Sequence, residues 1–146
     1  MTASTGRTLR AMNRTLVICK PDAVERGLVG EIIGRFERRG LVIAAAELRL
    51  LDVDTLARHY EEHVDKGFYD DLVAFMSRSP AMVLVVEGLE GTFAAVRAMM
   101  GATNPLEAVP GTIRGDYGLM MTENLVHGSD SDESAEREIG IFFPGL

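Results

Sequence analysis

The chain has 146 residues, enough for one domain, and its 47% apolar and 25% charged residues give the balance of a soluble globular protein. A formal net charge of −7 argues against a nucleic-acid surface or a polybasic membrane contact, and no apolar run approaches the ~18 residues of a membrane span. The lone cysteine, Cys19, sits in the apolar run Leu16-Val17-Ile18-Cys19, which excludes a disulfide framework and suits a reduced thiol in a cytoplasmic protein.

Residues 1–13 are rich in Ser, Thr and Arg and have no apolar core of a secretory signal, so they read as a mobile tail ahead of a single domain over 14–146. Thr15 to Cys19 predicts a buried strand that stops at Lys20-Pro21. From Leu28 the period becomes helical: Val29, Ile32, Ile33 and Phe36 share one face, and Gly40 closes the segment. Leu41 to Leu51 predicts a second strand with Glu47 and Arg49 on its polar side, followed by two short helices over Val53–Glu62 and Phe68–Ser77. Ala81 to Val86 predicts a continuous apolar strand ended by Glu87-Gly88.

Thr92 to Met100 predicts a helix with Phe93, Val96 and Met100 on its apolar stripe. Arg97 sits at the edge of that stripe, where it either snorkels outward or points into a polar site beside the core. Gly101 to Asp116 has no period, and a loop this long is usually functional or disordered. Its Thr103, Asn104, Thr112 and Arg114 can all donate to an anion. Tyr117 to Met121 predicts the last strand, and Asp132 to Ile141 the last helix, with Ser131 as its cap and a Glu133–Arg137 pair. The element order suits an α/β sandwich of the split βαβ type. No Gly-x-Gly-x-x-Gly follows a strand, which counts against a dinucleotide-binding sheet.

His127 stands between Val126 and Gly128-Ser129, so little bulk surrounds its ring. Glu138, on the last helix, is placed to hold one ring nitrogen and leave the other as nucleophile or base. A loop histidine near a serine-rich cap is the competing reading. Lys20, Arg97 and Arg114 add cations at a strand end, a helix edge and a Gly/Pro loop, which with His127 suggests phosphoryl transfer. No Gly-x-x-x-x-Gly-Lys-Ser/Thr loop is present, so the chain is not a P-loop NTPase. His59-Tyr60-Glu61-Glu62-His63 matches a zinc-protease pattern, but no third ligand is indicated and a solvated helix face explains it better.

Several segments together resemble the nucleoside diphosphate kinase family: Thr15 to Val24, Arg26 to Ile33, Thr103-Asn104-Pro105, Pro110 to Asp116, and His127 to Ser131 with Glu133 to Glu136. The likeness runs from about Asn13 to Phe143. It implies a ferredoxin-like split βαβ sandwich, a four-stranded antiparallel sheet covered by helices. It also implies transfer of the γ-phosphoryl group of a nucleoside triphosphate to a nucleoside diphosphate, through a phosphohistidine on Nδ1 of His127. By the same resemblance Glu138 orients that ring, Ser129 supports Glu138, and Tyr60 lies near the transferred phosphate. Lys20, Arg97, Thr103 and Arg114 match phosphate ligands, and Asn124 a ribose and phosphate contact. Phe68 matches the aromatic over the base, with Met121 on its other side. Mg²⁺ is implied as the cofactor, held by the nucleotide phosphates with no protein cage. A homo-oligomer, tetramer or hexamer, is implied as well. Gly67, Met121 and Glu123 depart from the family pattern at the nucleotide site, as does an extra residue near Glu90 to Ala95. The alternative is a catalytically weak nucleotide-binding homologue or a protein-histidine phosphorelay component.

Overall fold

Met12–Cys19 forms the first strand, β1, in a computed structural model that describes residues 12–146. Pro21 opens a five-residue helix, α1 (Pro21–Glu25), taking the first helical position, where its missing N–H is not needed. The amphipathic run then forms α2 (Val29–Arg38), which buries Ile32 and Phe36. It is followed by β2 (Val42–Arg49) and α3 (Val53–His59), the latter capped by the Asp52 carboxylate on Thr55 N–H. A 3₁₀ turn at Glu61–His63 leads to α4 (Tyr69–Ser77), β3 (Ala81–Leu89) and α5 (Thr92–Met100). A second 3₁₀ turn at Pro105–Glu107 precedes α6 (Ile113–Tyr117), β4 (Val126–Gly128) and α7 (Asp132–Phe142).

The four strands lie in the order β2-β3-β1-β4, with every neighbouring pair antiparallel. Alternation along the strands divides the core into two layers. Val17, Cys19, Leu84 and Val86 pack with Ile32, Phe36, Val96 and Met100, while Leu16, Ile18, Val83 and Val85 pack with Leu56, Met76, Ile139 and Phe142. This is the four-stranded antiparallel sheet with helices that the family resemblance implies.

Several local expectations are corrected. β1 starts at Met12, inside the segment read as tail, and Asn13 accepts a hydrogen bond from Gly91 N–H; residues 1–11 lie outside the described residues. The last strand is Val126–Gly128, and not Tyr117–Met121: Tyr117 ends α6, and Leu119, Met120 and Met121 are exposed. The aperiodic loop holds two short helical turns because Asn104 and Thr112 are N-caps, accepting from Leu106 and Gly115 N–H. Those two side chains serve the backbone instead of an anion.

On β2 the polar face is inverted. A register shift between Ile43 and Ala45 turns Arg49 inward over Phe142 and Phe143, and Leu48 is left 55% exposed. β3 continues through Glu87-Gly88 to Leu89 because a Cβ at Gly88 would crowd Leu41 and Thr92. Arg137 donates to the Arg58 and His59 carbonyls and pairs with Glu61, in place of the expected Glu133.

Candidate active site

β4 is three residues long, yet its position decides where the nucleophile candidate points. His127 lies opposite Ile18 in the β1–β4 ladder, so pleating sends its ring to the layer occupied by α3 and α7. Its neighbour Gly128 lets β4 approach α5 closely, since a Cβ there would meet the Met100 thioether at 2.9 Å. Glu138, on α7, meets the ring at 2.9 Å between Oε1 and Nε2. Ser129 donates to the same Oε1 at 2.8 Å and accepts from Leu16 N–H at 3.3 Å, which ties the pair to the sheet. Burial would raise the Glu138 carboxyl, but the hydrogen bond from His127, the nearby imidazoles and the Ser129 hydroxyl hold it below the usual carboxylate range. An ionised carboxylate only accepts, so Nε2 carries the hydrogen, and in the neutral ring Nδ1 keeps its lone pair.

A second group forms where β1 ends. Lys20 Nζ donates to Asn124 Oδ1 at 2.8 Å, and Asn124 Nδ2 donates to the Thr103 carbonyl at 2.9 Å. Arg114, only 7% exposed, donates to the carbonyls of Asn124, Gly101 and Val126 at 3.1, 2.8 and 2.7 Å. Burial and then the neighbouring Arg97 lower its guanidinium to about 10. Burial and then Arg114 lower the Lys20 ammonium to about 8, against the opposing pull of Asp22. A shift from 10.5 to about 8 means the charged lysine carries on the order of 3 kcal/mol of unfavourable free energy, which an anion would relieve.

Between Asn124 and Val126 the backbone makes a tight turn. Leu125 has φ of 76°, in the left-handed region that a non-glycine residue seldom occupies, and Val126 N–H donates to the Asn124 carbonyl across it. Asp22 compensates: its Oδ2 accepts from Leu125 N–H at 3.1 Å, while Leu125 O accepts from Lys20 N–H at 2.8 Å. Sequence reasoning missed Asp22 and Leu125. The polar residue after Lys20-Pro21 was the available signal for Asp22; nothing in an apolar Leu announces a positive φ.

Arg97 does not snorkel away. Its guanidinium donates to the Gly128 carbonyl at 2.9 Å and lines a cavity of about 240 Å³ with Tyr60, His127 and Glu138. Burial, and then the Glu138 charge, push the Tyr60 phenol well above its ordinary value, so it keeps its proton and is able to donate it in a hydrogen bond. His59 also lines the cavity; it is 5% exposed and stands edge-on to His127, with ring centroids 4.7 Å apart. Phe68 and Met121 are 51% and 59% exposed and do not line this cavity, although Phe68 lies beside His63, which does. The departure at Glu123 is absorbed by Arg78, which binds it at 3.1 Å and holds Glu25 as well. A larger groove of about 510 Å³, along Gly40 to Val42 and Glu87 to Thr92, contains none of the converging polar groups.

Two outcomes follow from this geometry. Lys20 can attract an anion only while protonated, so affinity for a phosphate-bearing ligand should hold at neutral pH and fall as pH rises through about 8, approaching tenfold per unit above it. Calorimetric titrations across pH would show this, and Lys20→Gln should flatten the profile; an unchanged wild-type affinity in alkali would contradict it. Arg114→Lys should behave as a poor substitute, because one ammonium cannot reach three carbonyls held by a planar fork. Loss of a charge-assisted hydrogen bond in this buried setting should lower unfolding free energy by about 2 kcal/mol or more in denaturant titrations.

The family model for nucleoside diphosphate kinase matches residues 13–146. Among similar curated proteins, the nucleoside diphosphate kinase of Streptomyces avermitilis is 61% identical over 133 residues, covering 90% of this chain and 96% of that protein. That of Thermobifida fusca is 56% identical over 135 residues, covering 92% and 99%. A solved structure of the halophilic Halobacterium salinarum enzyme in complex with CDP aligns with a TM-score of 0.86 at 45% identity, covering 90% of this chain and 87% of that one. A family member from Babesia bovis aligns with a TM-score of 0.87 at 44% identity, covering 90% and 88%.

Proposed function

The chain belongs to the nucleoside diphosphate kinase family, enzymes of nucleotide phosphate transfer, and from that premise we propose a ping-pong reaction through a phosphohistidine on His127. The observation that carries this reading is the His127–Glu138 contact at 2.9 Å, which leaves Nδ1 as the free nitrogen of a partly exposed ring. In the first half-reaction the Nδ1 lone pair forms a bond to the γ-phosphorus of a nucleoside triphosphate. The bond to the β–γ bridging oxygen breaks, and its electrons leave with the nucleoside diphosphate. The second half-reaction runs the same step backwards onto another diphosphate.

Each neighbouring group has a part in that step. Glu138 accepts from Nε2–H and stabilises the positive charge that grows on the ring as Nδ1 is phosphorylated. Arg97 and Tyr60, on the cavity wall, donate to the moving phosphoryl oxygens. Lys20 and Asn124 receive the phosphates, and Thr103 borders the same loop. Arg114 still has N–H groups free after its three carbonyl contacts, and it holds the loop in register while opposing phosphate charge. Phe68 and Met121 cover the two faces of the base.

Mg²⁺ fits as an ion carried by the nucleotide. It demands oxygen ligands, whereas the protein groups facing the phosphates are cations and amides, so the phosphates themselves supply its oxygens. When bound, it neutralises phosphate charge. A homo-oligomer, tetramer or hexamer, is supported by two sets of exposed apolar side chains: Val42, Leu48 and Leu50 on and just beyond the edge strand, and Leu106, Val109 and Leu119 near the phosphate loop. A cytoplasmic location suits Cys19, whose buried thiol is pushed up to about 12 by burial and by Asp22. No helix among the described residues is long and apolar enough to cross a membrane.

With ATP and Mg²⁺ the protein should form an acid-labile, alkali-stable phosphoenzyme that GDP discharges, and double-reciprocal plots should be parallel. His127→Ala should abolish labelling while keeping nucleotide binding; intersecting lines, or label on His59, would overturn the assignment.

Substrate breadth follows from how the base is held. Stacking contributes about 1–3 kcal/mol per base and suits every base, whereas edge recognition rejects a wrong base by about 10⁴–10⁵. ADP, GDP, CDP and UDP should therefore be accepted with specificity constants within about two orders of magnitude, purines leading by their larger faces. Phe68→Ala should weaken all four and narrow the gap. Strict use of one base would show that edge contacts dominate.

A further inference from the structure

All three histidines of the chain, His59, His63 and His127, line the same cavity. The phosphotransfer reading uses His127 alone. His59 is 5% exposed, and neither of its ring nitrogens has a hydrogen-bond partner among the described residues. A buried imidazole with two idle nitrogens is an uncommon expense in a folded protein and calls for a partner. His59, His127 and Glu138 each present one ligand atom, and these atoms all lie within 4.8 Å of one another. Two imidazoles and a carboxylate are a donor set suited to zinc, with a fourth position left open.

We propose that His59, His127 and Glu138 form a binding site for a borderline divalent cation such as Zn²⁺, and that its occupancy switches off the nucleophile. Tetrahedral ligands about 2.0–2.1 Å from zinc stand roughly 3.3 Å apart, so His59 must close on the other two by a side-chain rotation of modest size. The Nε2–Oε1 contact of 2.9 Å needs only to open slightly. The cation would take the Nε2 lone pair that now holds a hydrogen. That proton moves to Nδ1, and the ring stays neutral in its other tautomer. An Nδ1–H nitrogen has no lone pair for phosphorus, so the ring that binds the metal cannot be phosphorylated.

Arg97 and Arg137 also border the cavity and oppose any dication, while Glu62 and Asp130 partly offset them. This balance disfavours hard ions held by charge alone and favours metals with strong imidazole affinity. Mg²⁺ on the nucleotide should therefore not compete. The zinc-protease pattern at His59 to His63 thus supplies one ligand to a site that it does not itself describe.

The blocking step rests on the phosphohistidine reading; metal binding does not. The test uses the full-length, nucleotide-free protein with zinc chloride. Titration calorimetry should give one zinc per chain, unaffected by excess Mg²⁺. Imidazole ¹⁵N spectra should show one nitrogen shifting on His59 and one on His127, with His63 unmoved, which locates the site without any substitution. His59→Gln should weaken zinc roughly tenfold or more, at least the effect of losing an outer-shell partner of a metal-bound histidine, while His63→Gln should not. Zinc should slow ATP-dependent phosphoenzyme formation, and a chelator should restore it. No saturable binding, shifts confined to His63, or an equal loss in His63→Gln would overturn the site. Binding at His59 and His127 with phosphorylation unslowed would overturn the switch. Binding in a protein that forms no phosphoenzyme even without zinc would instead count against the phosphotransfer reading.

Discussion

The contact between His127 and Glu138 joins the most marginal strand of the sheet to the last helix, and the rest of the site is arranged around it. Glu138 alone would be an expensive group to bury. Its oxygen is supplied with an imidazole N–H and a serine hydroxyl, and that serine in turn takes the Leu16 N–H of the central strand. One chain of hydrogen bonds therefore runs from the middle of the sheet to the His127 ring. Such a chain restricts the ring to one orientation and one tautomer without any contact to substrate.

The cationic side is organised by the opposite condition, charges that no carboxylate hydrogen bond neutralises. The chain as a whole carries −7, yet Lys20, Arg97 and Arg114 lie close together: Arg97 lowers the proton affinity of Arg114, and Arg114 that of Lys20. The protein holds these cations apart with neutral carbonyl and amide oxygens and not with carboxylates: Arg114 and Arg97 on backbone, Lys20 on Asn124. A carboxylate would neutralise them and then compete with phosphate. Asp22, the acid beside Lys20, spends an oxygen on the strained Leu125, so it steadies the turn as well as opposing charge.

The sequence was most legible where periodicity is long. The helix over Thr92–Met100 matches residue for residue, and the apolar strand through Ala81 lies where its run of β-branched residues puts it. Legibility failed where three residues suffice for an element. Val126–Gly128 is too short to show alternation and ends in a glycine, so the longer apolar run Tyr117–Met121 competed for the role and lost to α6 and to exposure. Asn104 and Thr112 looked like anion donors because the helices they cap are single turns. Arg49 and Leu48 exchanged faces through a register shift that no pattern of residue types reveals. At the site, family motifs located the charged residues, while the conformational supports, Asp22 and the Leu125 turn, came only with three dimensions.

The hairpin of α3 and α4, which carries Tyr60 and has Phe68 at its second helix start, buries Leu56 and Met76 in the core and is further held at the surface. Arg137 of α7 grips the last carbonyls of α3, and Arg78, closing α4, grips Glu25 and Glu123. These contacts are exposed or nearly so, and exposed ion pairs contribute little and weaken with salt. His127, by contrast, follows Val126 of one core layer, and its partner Glu138 is tied through Ser129 to Leu16 of the other. The part held only at the surface is therefore the segment between the two helices, which leads to the 51% exposed Phe68. In the proposed reaction a rigid base cover would fit one ring size, whereas a loosely attached one could close over any of them while His127 stays fixed.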